Sequence, residues 1–79
     1  MPVIELLDGI KILLFANDHN PPHFHVYYAG YKAMIEISSL ETIRGNLPTK
    51  QHNKVVEWAE SRQEELLEGF LKLNPQFRK

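Results

Sequence analysis

Hydrophobic and polar positions alternate along the first half of the chain and recur at a longer period along the second. Alternation marks strands, whose side chains point to opposite faces in turn. Residues 3–7 and 10–16 read as two strands joined at Asp8-Gly9, a hairpin signal because both central positions of that turn take positive φ. The aromatic and β-branched run 23–28 is a third strand, and Ala29-Gly30 turns it into a fourth at 31–37. Residues 38–46 form a connection, with a short strand or turn around Glu41 to Arg44.

From Pro48 onward the period becomes helical. Val55, Ala59, Leu66, Phe70 and Leu73 share one face, flanked by Val56, Trp58 and Leu67. Pro48 suits the first helical turn, and Asn74-Pro75 stops the helix because a residue before proline leaves the α region. The outer side is acidic, with Glu57, Glu60, Glu64, Glu65 and Glu68. Gly69 weakens the helix locally by about 1 kcal/mol. The expected fold is α+β: a four-stranded antiparallel meander covered on one face by one long C-terminal helix, a two-layer sandwich in a single domain spanning 1–79.

Alternation also assigns the two faces of the sheet. Ile10, Ile12, Leu14 and Ala16, then Phe24, Val26 and Tyr28, then Tyr31, Ala33, Ile35 and Ile37 are the residues expected to meet the helix. Lys11, Leu13, Phe15, His23, His25, Tyr27, Lys32, Met34 and Glu36 take the other face. Leu13, Phe15, Tyr27 and Met34 then make an apolar patch, of the kind that marks contact with another chain or a ligand.

Composition narrows the function classes. The 79 residues allow one core, and a chain of this size buries only about 60 to 65% of its unfolded surface. Small domains are therefore often supplemented by disulfides, a metal or oligomerisation. The absence of cysteine removes disulfides and thiolate metal sites. With a net charge of −1 and dispersed Lys and Arg, charge does not indicate nucleic acid as a partner. No apolar run approaches the roughly 18 residues that span a membrane. The start, MPVIELLDG, lacks the basic region of a secretory signal, so a cytoplasmic, bacterial-type protein is expected.

The chemistry-bearing residues concentrate in NDHNPPHFHV, residues 17–26, which holds three of the four histidines. His52, in the first helical turn, is read as surface. His23 and His25 lie two apart in a strand, so their rings project to one side roughly 7 Å apart. Four readings stand together. A divalent metal could sit between His23, His25 and a carboxylate, with Asp18, His19 or Glu36 as further ligands, although no metal is favoured. Acid–base catalysis could use His19, His23, His25 and Glu36, as in a metal-independent ribonuclease-like toxin, with no cofactor. The histidines could equally be polar packing where a loop stiffened by Pro21-Pro22 runs into a strand. The preferred reading is recognition: Asp18, His19, Pro22, His23 and His25, with Phe15, Tyr27 and Met34, contact a protein partner or a second copy of the chain.

The string at Asp18, His19, Pro21, Pro22, His23, His25 and Val26, with Leu47, Pro48, Trp58, Ala59, Glu65 and Leu66 in the second half, resembles a family of small bacterial proteins known as domain of unknown function 4160. The resemblance implies a gene often placed beside one for a domain of unknown function 2442 protein, in a pairing like a toxin–antitoxin module. It implies no catalytic mechanism for any histidine. The resulting expectation is an interaction module, one half of a two-protein pair.

Overall fold

A computed structural model of the chain describes residues 3–16 and 21–77. Five antiparallel strands follow one another in sequence order: β1 (Val3–Leu7), β2 (Ile10–Leu13), β3 (His23–Tyr28), β4 (Tyr31–Glu36) and β5 (Thr42–Gly45). Both expected hairpins form. Asp8 and Gly9 take φ of 49° and 79°, Ala29 and Gly30 of 45° and 88°, and the turns close on the pairs Leu7–Ile10 and Tyr28–Tyr31. Backbone twist in such turns matches that of the flanking strands, which is why two residues suffice.

The sheet has five strands rather than the expected four. The fifth is an edge strand exposed at every residue, so no buried alternation announces it. It joins β4 through the pairs Ala33–Gly45, Met34–Arg44 and Ile35–Thr42, with a bulge that leaves Ile43 outside the pairing. Gly45, at φ 76°, permits this seam: a Cβ there would lie 2.1 Å from the Lys32 carbonyl oxygen. Before it, Glu36 N–H donates to the Glu41 carbonyl (2.9 Å) and Leu40 N–H to the Glu36 carbonyl (2.8 Å), closing the bend.

The expected single helix is two. α1 (Thr49–Glu60) ends at Ser61 and α2 (Gln63–Leu73) begins after Arg62, whose φ of −130° leaves the helical region. Arg62 occupies the break: its Nη1 donates to the Trp58 carbonyl (2.8 Å), its guanidinium lies 5.0 Å from the centre of the Trp58 ring, and its N–H reaches back to Ala59. A basic side chain satisfying the last carbonyls is a common way to end a helix. Glu64 and Glu65 in the first turn of α2 then complement its positive end. Pro48 stands one residue ahead of α1, at its N-cap, and Asn74 caps α2 before the short 3-10 turn Pro75–Phe77.

Both helices cover one face. Ile10, Ile12, Leu14, Phe24, Val26, Ile35 and Ile37 from the sheet meet Val55, Ala59, Leu66 and Phe70 in one core, with Leu40 beneath the bend. Of the residues expected there, Tyr31 and Ala16 lie at the surface instead. Gly69 has a packing role beyond its cost to the helix: a Cβ on it would come within 2.8 Å of Leu14 Cδ1, so its absence lets α2 settle against Leu14, just past β2. Asn74 is fully buried and donates through Nδ2 to the carbonyls of Phe15 and Phe70, both at 2.9 Å, tying the end of α2 to the end of β2. No helix among the described residues is long and apolar enough to cross a membrane.

Candidate functional site: the histidine corner and the uncovered sheet face

The histidine-rich stretch meets the sheet at Pro21 and Pro22. The Pro22 carbonyl accepts the Ile37 N–H (3.0 Å), which fastens the start of β3 to the end of β4. The Pro21 carbonyl lies 2.7 Å from His23 Nδ1. A carbonyl can only accept, so the proton sits on Nδ1. His23 is wholly buried, its ring 5.0 Å from that of His25 and 5.7 Å from that of Phe70 on α2. His25 is half-buried and meets Phe15 edge-on, with ring centres 4.3 Å apart. Asp18 and His19 lie outside the described residues.

The two imidazoles are therefore neighbours, as same-face strand positions should be, but they are packed among aromatic rings. Strand register places Glu36 directly across from His23, and its carboxylate accepts the Ser39 hydroxyl at 2.6 Å. Among the described residues no group of three His, Asp or Glu side chains is arranged to hold a metal ion. Acid–base chemistry needs rings within reach of a substrate. His23 offers no exposed surface for that or for direct contact with a partner.

The face away from the helices is a larger and more open feature. Register lays its residues in rows across the strands. Leu6, Lys11, Tyr27 and Lys32 form one row, and Leu13, His25, Met34 and Arg44 the next. His23 and Glu36 form the third by register, although the His23 ring is buried against Phe70 of α2 rather than open on this face as expected. The expected apolar patch is reduced, because Leu13 is buried while Phe15, Tyr27 and Met34 are only half-exposed. Leu6, 63% exposed, extends the patch on the other side. Lys11, Lys32 and Arg44 are exposed around it, and the Lys32 ammonium stands 5.6 Å from the centre of the Tyr27 ring. Two shallow depressions of about 290 and 230 Å³ share Tyr27 and Lys32; one reaches Lys11 and the other His25, Met34 and Arg44. Arg44 and Leu6 are absent from the expected contact residues: Arg44 lies on β5, where the sequence leaves a short strand or a turn equally open, and Leu6 is set by the β1–β2 register.

A further depression of about 170 Å³ lies on the helix side, lined by Pro22, Ile37, Ser38, Gln63, Glu64 and Leu67. Gln63 Nε2 bridges it by donating to the carbonyls of Ile37 (2.8 Å) and Ser38 (3.1 Å). This makes it a seam between α2 and the end of β4.

Fold and site together define a small α+β protein whose antiparallel meander is covered on one face and open on the other. The family model described as Domain of unknown function (DUF4160) matches residues 9–70, and the chain belongs to that family. No curated protein and no solved structure matches the chain.

Proposed function

We propose that the chain is a protein-interaction module that engages its partner through the uncovered face of the sheet and the histidine-rich loop. The observation that carries this reading is the one-sided cover of the sheet. Both helices lie on one face, while Leu6, Tyr27, Met34 and His25 remain accessible on the other among three cations. Half-exposed apolar side chains ringed by polar ones are the composition of a contact surface. Full burial of His23 supports a structural role for it, positioning His25 and Phe15 at the edge of that surface.

The partner proposed is the product of an adjacent gene, in a two-protein toxin–antitoxin-like pair acting in the cytoplasm. Co-expression of the two proteins, followed by size-exclusion chromatography with light scattering, tests this. A complex of defined stoichiometry is expected. A chain that runs as a monomer and ignores its neighbour's product overturns the reading, and a homodimer alone would move the contact to a second copy.

A further inference from the structure

From the charge pattern of the open face, and resting on the reading above, we infer that its partner is a protein presenting carboxylates around an apolar centre, complementary to Lys11, Lys32 and Arg44. Register fixes the pattern. Lys11 and Lys32 flank Tyr27 in one row, and Arg44 follows Met34 in the next. Strands lie about 4.8 Å apart, so Lys11 and Lys32, two strands apart, sit about 10 Å from one another. Among the described residues none of the three enters an ion pair. Glu36 lies in the third row, across from His23, and its carboxylate accepts the Ser39 hydroxyl. A chain with net charge −1 therefore gathers a local positive surface while its helices carry Glu57, Glu60, Glu64, Glu65 and Glu68.

This pattern selects among occupants. A second copy docking face to face would set Lys11, Lys32 and Arg44 near their own symmetry mates, and like charges brought together oppose the contact. Single-stranded nucleic acid needs an open aromatic face on which a base can stack. Here Tyr27 is half-buried and Lys32 stands over its ring, leaving a cation where a base would lie. Edge-strand addition is disfavoured as well. β5 carries a bulge at Ile43 and β1 an irregular register between Val3 and Glu5, devices that blunt sheet edges against pairing. What remains is face-on contact with an acidic protein surface whose apolar centre meets Leu6, Tyr27 and Met34.

The test is a titration of the 15N-labelled full chain, followed by amide shifts, with an Asp/Glu-rich peptide containing Leu and Phe. A Lys-rich peptide of the same apolar content and a short oligouridylate serve as comparisons. The acidic peptide is expected to shift amides of β2 to β5 around Lys11, Tyr27, Lys32 and Arg44, with binding weakened by salt. The triple variant K11E/K32E/R44E, substituted only at exposed positions, should bind about tenfold or more weakly while keeping a dispersed spectrum. K11Q/K32Q/R44Q should fall between the two. No shifts on the face, or tighter binding of the Lys-rich peptide or the oligouridylate there, overturns the inference. A chain that complexes with its neighbour's product yet ignores the acidic peptide overturns only the charge assignment. One that does neither overturns the interaction reading beneath it.

Discussion

Replacing His23 by alanine is the sharpest probe of the histidine corner, because burial and catalysis predict different outcomes. The imidazole is wholly enclosed and makes ring contacts with His25 and Phe70, so its removal leaves a void that neighbours fill only in part. It also deletes the 2.7 Å hydrogen bond to the Pro21 carbonyl. Truncating a buried ring costs about 2–4 kcal/mol, of which the lost hydrogen bond accounts for about 1 kcal/mol. A domain of this size has about 4–12 kcal/mol in total, so the variant sits near its limit. At about 4–8 °C per kcal/mol, the melting temperature should fall by about 10 °C or more. His25→Ala should cost far less, about 0.5–1.5 kcal/mol, because that ring is half-buried and loses mainly its edge-on contact with Phe15. His23→Phe restores an aromatic ring, larger than the imidazole and without its donor, and should recover part of the alanine deficit. The assay is urea and thermal unfolding of the three variants beside the wild type. A His23→Ala protein as stable as wild type, or a His25→Ala protein hurt as much, would refute the packing argument and reopen His23 as a functional group.

Three further outcomes follow from the geometry. Gly45→Ala places a Cβ against the Lys32 carbonyl in a residue at positive φ, so β5 should detach at a cost of about 2 kcal/mol or more, read as lost hydrogen-exchange protection at the Asn46 N–H, which donates to that carbonyl. Asn74→Ala removes both bonds to the Phe15 and Phe70 carbonyls from a fully buried site, and unfolding should show a loss of about 1–3 kcal/mol. Asp8→Asn keeps a residue suited to the turn but removes the ion pair with Lys54 at 2.7 Å. That pair, first through its hydrogen bond and then through its charge, holds the Asp8 carboxyl below its ordinary value of 3.8. A lowered folded-state pKa stabilises above the unfolded value and is lost as pH falls through the folded one. The wild type alone should therefore show that small acid-side loss, and it should vanish in high salt; identical acid limbs in wild type and Asp8→Asn would count against the pair.

The hairpins and the core side of the sheet were legible because their signals are local. Asp8-Gly9 and Ala29-Gly30 specify their turns, and alternation in β2 to β4 puts Ile12, Val26 and Ile35 inward. The break between the helices was hidden by its phase. Ala59 and Leu66 are seven residues apart, close to two helical turns, so the apolar stripe runs on across Ser61 and Arg62. The signal that could have exposed it was Ser61 three residues before Glu64, spaced as at a helix start, with Glu65 beside it. Alternation assigned His23 a face but not a depth, which depends on Phe70 far along the chain. Asn74 was readable as a helix stop, while its bond to Phe15 depends on where α2 lies against β2. The positive surface needs Arg44, and hence the pairing of β5 with β4, which the sequence does not decide between a short strand and a turn.

The proposed contact surface is the face opposite the helices. Light scattering on complexes with the adjacent-gene product tests it most directly, using the wild type, the face variant K11E/K32E/R44E and a helix-side variant, E57K/E60K/E64K. The wild type and the helix-side variant are expected to form the complex, and the face variant to elute alone, still folded. A face variant that binds as well as wild type, or a helix-side variant that loses the partner, would contradict it.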